Sequence, residues 1–155
     1  MKILLAAVNA KYIHSNLAVY SLKAYAEDPA VEIGEYTINQ QKDDILMDIY
    51  KRQPDILCLS CYIWNLDYIE EIVLEIGKLR PDMPIWLGGP EVSYHAEEML
   101  EQYPFLDGIM KGEGEITFRE LAVYYQNQEN GTEGKTLEEI HGITSVSYTH
   151  LRAHE

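Results

Sequence analysis

Short apolar segments alternate with amphipathic segments along most of the chain. The apolar segments span only three to eight residues and are typical of strands in a parallel sheet. The segments between them carry apolar residues every three or four positions, which predicts helices. The predicted strands are Lys2–Val8, Val31–Ile38, Ile56–Ser60, Pro84–Leu87 and Gly108–Met110. The predicted helices run from Ser15 or Asn16 to about Glu27 and over Lys42–Arg52, Leu66–Leu79, Ala96–Tyr103 and Glu115–Gln126.

Strands that alternate with helices in this way indicate βαβ units and a parallel sheet. We predict a three-layer, doubly wound α/β domain of the flavodoxin/Rossmann-like class, with five strands in the order 2-1-3-4-5. Val31–Ile38 alternates apolar and polar residues and should lie nearer the sheet edge. In the first helix we expect inward-facing side chains, namely Leu17, Tyr20, Leu22 and Ala24.

The pattern also suggests three parts of the chain. Residues 1–126 form the predicted α/β domain, and 127–145 form a polar linker and the start of a truncated downstream region. Val146–Glu155 (VSYTHLRAHE) shows neither a helix nor a strand period. We interpret it as a non-native, adapter-derived tail, because its ten codons can be written as the read-through of a common transposon-type sequencing adapter. A natural disordered terminus is the alternative.

Charge and composition exclude several classes of partner. The formal net charge is −14, which argues against nucleic acid and against anionic membrane surfaces. No apolar run approaches the roughly 20 residues of a spanning helix, and the amino terminus lacks the flanks of a signal peptide. We therefore expect a cytoplasmic protein. Its two cysteines cannot build a disulfide framework.

Unusual residues follow four of the predicted strands. Because the carboxyl ends of parallel strands share one edge, where α/β proteins bind ligands, these loops predict a single site. The candidates are Asn9, Ala10, Tyr12, His14 and Asn16 after the first strand, Ser60, Cys61 and Tyr62 after the third, Gly88, Gly89, Pro90 and Glu91 after the fourth, and Gly112, Glu113 and Gly114 after the fifth.

Each motif also has an ordinary structural interpretation. Cys58 and Cys61 form a C-x-x-C, but Cys58 lies inside an apolar strand, which favours structural cysteines over redox chemistry. Gly88-Gly89 fits a tight turn and the close approach of a large ligand equally well. The glycine-rich loop at Gly112 departs from a dinucleotide fingerprint, since Thr117 replaces the third glycine. Trp86 lies within a strand and is expected in the core.

Taken together, the loops resemble the cobalamin-binding domain at the amino end of cobalamin-dependent radical SAM enzymes. Asn9–Leu17 is most like an uncharacterised branch, and Gly88–Glu91 and Gly112–Glu115 are typical of the superfamily. The resemblance covers about Met1 to Thr144. It implies that Asn9–Asn16 lies beneath the corrin, that Ser60 touches the dimethylbenzimidazole tail, that Gly88 and Gly89 line its channel, and that Gly112–Glu115 lies by the ribose.

Two departures limit what the resemblance implies. In the D-x-H-x-x-G motif of other cobalamin enzymes histidine ligates cobalt and the aspartate orients it. Here Tyr12 and Leu17 replace the aspartate and glycine around His14, so we expect base-off binding without a histidine ligand. The chain also lacks the C-x3-C-x2-C motif that would hold an iron–sulfur cluster. By itself it should bind and not catalyse; S-adenosylmethionine and the cluster would belong to a downstream radical SAM domain of a methyltransferase-like parent.

Three rival classes remain. A phosphorelay receiver needs an aspartate after the third strand and acidic residues after the first, where this chain has Ser60 and Asn9. A flavodoxin-like electron carrier needs a small, hydroxyl-rich phosphate loop after the first strand, where Lys11, Tyr12 and His14 are bulkier. The third alternative is an interaction domain without a cofactor.

Overall fold

A computed structural model describes residues 1–9, 17–61, 66–89, 96–111 and 114–145, apart from the side chains of 17 and 18. The strands are β1 (Ile3–Asn9), β2 (Val31–Thr37), β3 (Ile56–Ser60), β4 (Ile85–Gly88), β5 (Gly108–Met110) and β6 (Ile143–Ser145). The helices are α1 (Leu17–Ala26), α2 (Lys42–Arg52), α3 (Leu66–Leu79), α4 (Ala96–Gln102) and α5 (Glu115–Asn130), and a 3-10 turn covers Leu137–Glu139.

The strands form one sheet in the order β2-β1-β3-β4-β5-β6. The first five are parallel, which confirms the predicted class and order, and β2 is the predicted edge strand. The described sheet has six strands and not five, because β6 pairs antiparallel with β5. A three-residue strand is too short to show a period of two, so the pattern alone could not identify it.

Helices cover both faces of the sheet. The face under α2, α3 and α4, which we name the α3 face, is built on Leu4, Leu57 and Ile85. The face under α1 and α5, named the α1 face, is built on Leu5, Cys58 and Trp86, together with apolar residues from those two helices. Both layers explain the near-continuous apolar sequence of the central strands, since alternate side chains must be apolar on both sides.

Helix α1 faces the sheet with a different set of residues from the one predicted. Tyr20 is 46% exposed and Ala24 is also exposed, so their expected inward position is wrong. Leu22 contacts the core as expected, and Val19 and Ala26 contact it as well, whereas the side chain of Leu17 lies outside the described residues. Val19, Leu22 and Ala26 are spaced three and four positions apart, so they form the buried face of the helix. The exposed Tyr20 donates a hydrogen bond from its hydroxyl to a side chain of β2, as described below.

Trp86 links β4 to α5 in the core of the α1 face. Its side chain is fully buried, as expected, and its indole Nε1 donates a 2.8 Å hydrogen bond to the hydroxyl of Tyr125. Its ring also covers Gly108 on β5, where any Cβ would collide with the ring. Burial raises the pKa of Tyr125, so the hydroxyl stays neutral at physiological pH.

Among the residues that the structure describes, we find no helix with the length and apolar character that membrane crossing requires.

We predict that Tyr125→Phe lowers the free energy of unfolding by about 1–2 kcal/mol, because it leaves the buried Trp86 N–H without its acceptor. Urea unfolding followed by Trp fluorescence measures the change. Tyr124→Phe is the matched control, since Tyr124 packs edge-on against Tyr125 with ring centroids 5.1 Å apart. Equal stabilities of the two variants would contradict the role given to the Trp86 bond.

Candidate functional site

One line of residues crosses the carboxyl edge of the sheet on the α1 face. The parallel register aligns Glu35 with Ala7, Ala7 with Ser60, Ser60 with Gly88 and Gly88 with Met110. Aligned residues of neighbouring strands point to the same face. We name these five residues the edge row; in it the ends of β1, β3 and β4 lie side by side at the carboxyl edge of the sheet.

The three central members of the edge row are small. Between Glu35 and Met110, the row holds only the side chains of Ala7 and Ser60, and Gly88 contributes none. A methyl group placed on Gly88 would lie 3.5 Å from Cε of Met110, an ordinary van der Waals contact. The fold therefore does not itself require glycine at this position.

Gly89 differs from its neighbour because the fold does require glycine there. Its φ is +117°, and a Cβ would collide with the carbonyl oxygen of Cys61. The backbones are held together at this point, since the Cys61 N–H donates a 2.7 Å hydrogen bond to the carbonyl of Gly88. The two glycines therefore have different explanations. Backbone geometry explains why residue 89 is glycine, whereas the glycine at residue 88 is better explained by space for a ligand.

Asn9 belongs to a short hydrogen-bonded chain at the β2 end of the edge row. Its side chain is only 3% exposed, and its Nδ2 donates to Oε1 of Glu35 at 3.3 Å. The hydroxyl of Tyr20, from α1, donates to the other carboxylate oxygen of Glu35 at 3.0 Å. This hydrogen bond raises the pKa of Tyr20. One carboxylate therefore contacts both β1 and α1.

Gly114 caps the amino end of α5 with a φ of +80°. Next to it, Glu115 lies in the first turn, where a carboxylate is favoured by the helix dipole. Oε1 of Glu115 accepts a 2.7 Å hydrogen bond from the Ser21 hydroxyl of α1. The start of α5 is therefore connected to α1, on the same face as the edge row.

Both cysteines are buried and free. Cys58 lies in the core of the α1 face, and burial raises its pKa to about 12. Cys61 lies in the core of the α3 face, where burial and the nearby Glu70 raise its pKa. Thiols held this firmly in the protonated form make poor nucleophiles at neutral pH, which supports their structural interpretation.

Six of the predicted site residues can be located. Asn9, Ser60 and Gly88 lie at the edge row and Gly89 follows it, Gly114 lies at the amino end of α5 near Leu22, and the side chain of Cys61 enters the opposite core. The other candidates lie outside the described residues: Ala10, Tyr12, His14, Asn16, Tyr62, Pro90, Glu91, Gly112 and Glu113.

Sequence reasoning missed Ala7 and Glu35. Ala7 looks like any core residue of an apolar strand, and only the register shows that it continues the row of small residues. Glu35 did carry a signal, since it is a charged residue within an otherwise alternating strand.

The fold defines a doubly wound α/β domain, a class of protein that binds ligands at the carboxyl edge of the sheet. Residues 3–122 match the family model described as the B12 binding domain. The chain therefore belongs to the B12-binding domain family, and cobalamin is the cofactor that this assignment specifies. The predicted resemblance is confirmed at the level of the family.

Methyltransferases are among the proteins similar in sequence. A 2-(S-pantetheinyl)-carbapenam-3-carboxylate methyltransferase of Streptantibioticus cattleyicolor is 33% identical over 109 residues, 66% of this chain and 16% of that protein. The cobalamin-dependent radical SAM methyltransferase TokK of Streptomyces tokunonensis is 36% identical over 69 residues, 44% of this chain and 10% of that protein. The chain thus matches only a small part of these relatives.

Solved structures agree on the fold. A cobalamin-binding protein from Desulfitobacterium hafniense superposes with a TM-score of 0.56 at 18% identity, over 81% of this chain and 58% of that one. The response regulator RcsB of Salmonella typhimurium superposes with a TM-score of 0.58 at 11% identity, over all of this chain and 71% of that one. Identities this low support the shared sheet architecture alone.

The residues present fit a cobalamin. The nucleotide tail ends in a flat base that needs a narrow space at the sheet edge, and Ala7, Ser60 and Gly88 keep side-chain bulk out of the centre of the edge row. The hydroxyl of Ser60 adds one hydrogen-bonding group.

The two adjacent glycines should respond differently to the same substitution. We predict that Gly89→Ala lowers the free energy of unfolding by about 2–4 kcal/mol, through backbone strain and the collision with Cys61. Gly88→Ala should change it by less than about 1 kcal/mol. Urea unfolding of the paired variants checks this, and a tolerant Gly89 would refute the close backbone approach.

Proposed function

We propose that the chain holds cobalamin across the carboxyl edge of its sheet, with the nucleotide tail against the edge row. The observation that carries this is the run of Ala7, Ser60 and Gly88 at the ligand-binding edge of a B12-binding domain. In this arrangement no side chain at Gly88 obstructs the tail, and the Ser60 hydroxyl forms a hydrogen bond with it, as donor or as acceptor.

The remaining predicted residues take the roles that the family resemblance assigns. Gly114 would lie by the ribose, and Asn9 would begin the loop beneath the corrin. The loop residues outside the described ranges would complete the site: Ala10, Tyr12, His14, Asn16, Tyr62, Pro90, Glu91, Gly112 and Glu113. His14 is assigned no bond to cobalt, because its neighbours lack the orienting aspartate.

We further propose that this domain serves a cobalamin-dependent radical SAM methyltransferase. The names of the relatives support this reaction class. Bound cobalamin would supply a transferable methyl group. A radical SAM domain of the same parent chain would bind S-adenosylmethionine and an iron–sulfur cluster, while the residues described here would hold the corrinoid in position.

The similarity of the fold to RcsB makes a phosphorelay receiver the relevant competitor. A receiver requires a carboxylate at the end of β3 to accept the phosphoryl group. Ser60 occupies this position, and Cys61 after it points into the core. These residues favour the cobalamin proposal over a receiver.

We predict that the purified protein retains hydroxocobalamin after desalting, with a visible absorption band, and that neither FMN nor acetyl phosphate leaves a bound species. Gly88→Val should weaken cobalamin binding by about 10-fold or more, because its methyl groups fill the edge row, while the protein remains folded by circular dichroism.

Ala24→Val is the control for added bulk, since Ala24 lies exposed on α1. Its affinity for cobalamin should equal that of the unsubstituted protein. A protein that emerges colourless from desalting, or binds FMN instead, would overturn the proposed function. An unchanged affinity in Gly88→Val would overturn the placement of the tail.

A further inference from the structure

We propose that residues 136–145 hold the β5 side of the cobalamin site in shape, with Thr117 and Gly142 as the positioning residues. We name this stretch the β6 segment. It lies beyond residues 3–122, the part of the chain that matches the B12 binding domain. The inference rests on the proposed function, because it concerns how the same site is kept ready for its ligand.

The β6 segment packs on the α1 face of the sheet. Ile140 is 4% exposed and belongs to the core of that face, and Leu137 and Ile143 pack against the same core. At the start of the segment, the Thr136 N–H donates a 3.3 Å hydrogen bond to Oε1 of Glu139. The segment is therefore anchored by its own contacts, so it can hold neighbouring elements in place.

The first of these elements is the end of β5. Ile143 is aligned with Met110, the last member of the edge row. Directly after Met110, the Lys111 N–H donates a 2.6 Å hydrogen bond to the carbonyl of Gly142. The β6 segment thus fixes the chain at the point where it leaves β5, at the carboxyl edge of the sheet.

The second element is the start of α5. The hydroxyl of Thr117, in the first turn of α5, donates a 2.8 Å hydrogen bond to the carbonyl of His141. Gly142 has a φ of +84°, and a Cβ there would lie 2.8 Å from Oγ1 of Thr117 and 3.4 Å from the carbonyl oxygen of Lys111. Two successive residues, His141 and Gly142, therefore fix both ends of the connection between β5 and α5.

This connection lies at the carboxyl edge of the sheet, and the family resemblance assigns it to the ribose side of the nucleotide tail. Thr117 and Gly142 are assigned no contact with the ligand. Their role is to hold the connection in one arrangement before binding, so that the ligand does not have to order it. Loss of this support should weaken the binding of the tail and leave the contacts of the corrin ring unchanged.

The experiment measures the affinity of Thr117→Val for cobalamin and for cobinamide, the corrinoid without the nucleotide tail, by absorbance titration. Valine keeps the branched shape of the side chain and removes the hydroxyl that bonds His141. Cobalamin should bind about 5-fold more weakly, and the affinity for cobinamide should be unchanged. Adding Gly142→Ala should cost less than the product of the two separate effects, because both substitutions disturb the same turn.

Amide hydrogen exchange, followed by NMR without any corrinoid, tests the support independently of the ligand. The Lys111 amide should exchange about 3-fold faster in Thr117→Val, because its acceptor belongs to the turn that loses the Thr117 bond. The amide of Ile38, which donates to the carbonyl of Asn9 beside β2, should keep its original rate.

Thr132→Val is the matched control. It also removes a bonded hydroxyl, since Thr132 donates to Oδ1 of Asn127 at 2.7 Å, but it lies outside the β6 segment. Its affinities and its Lys111 exchange rate should equal those of the unsubstituted protein. The same losses in Thr132→Val as in Thr117→Val would mean that the effect is not specific to the turn, which overturns the inference.

The other outcomes are also distinguishable. A Thr117→Val variant that keeps its affinity for cobalamin, that loses affinity for both corrinoids equally, or that shows unchanged Lys111 exchange overturns this inference and leaves the proposed function standing. An unsubstituted protein that binds no corrinoid overturns the proposed function and this inference together.

Discussion

The parallel register of the five strands is the constraint on which the site depends. It places residues from widely separated parts of the chain, Glu35, Ala7, Ser60, Gly88 and Met110, in one line at the edge where α/β sheets bind ligands. A shift of one residue in any strand would turn its member of the row to the opposite face. The apolar core on both faces of β1, β3 and β4 fixes this register, so the core also determines the geometry of the site.

Gly88 and Gly89 are adjacent glycines with different roles: the backbone conformation requires one of them, and the proposed ligand site uses the other. Gly89 has the left-handed backbone that brings the chain against Cys61, whereas Gly88 ends β4 in ordinary extended conformation with room for a methyl group. The turn at Gly89 holds the ends of β3 and β4 close together. The hydrogen bond from the Cys61 N–H to the Gly88 carbonyl joins the two strand ends at this point.

Much of the fold could be predicted from the sequence, because buried strands and amphipathic helices have distinct periods. Lys42–Arg52, Ile56–Ser60 and Leu66–Leu79 have the predicted bounds. β6 is too short to show a strand period. Tyr20 was assigned to the buried face of α1 because its ring is apolar, but its hydroxyl donates a hydrogen bond to Glu35 at the surface. At the candidate site, Ser60 and Gly88 could be proposed from their position at the carboxyl ends of strands, whereas Ala7 and Glu35 required the pairing register.

The central claim is that the edge row receives the nucleotide tail of cobalamin. Its most direct test is the affinity of the unsubstituted protein for cobinamide, the corrinoid that lacks the tail. If the tail lies against Ala7, Ser60 and Gly88, cobinamide should bind at least about 100-fold more weakly than cobalamin, because it forfeits the apolar and hydrogen-bonding contacts of the base. Equal affinities for the two corrinoids would contradict the account.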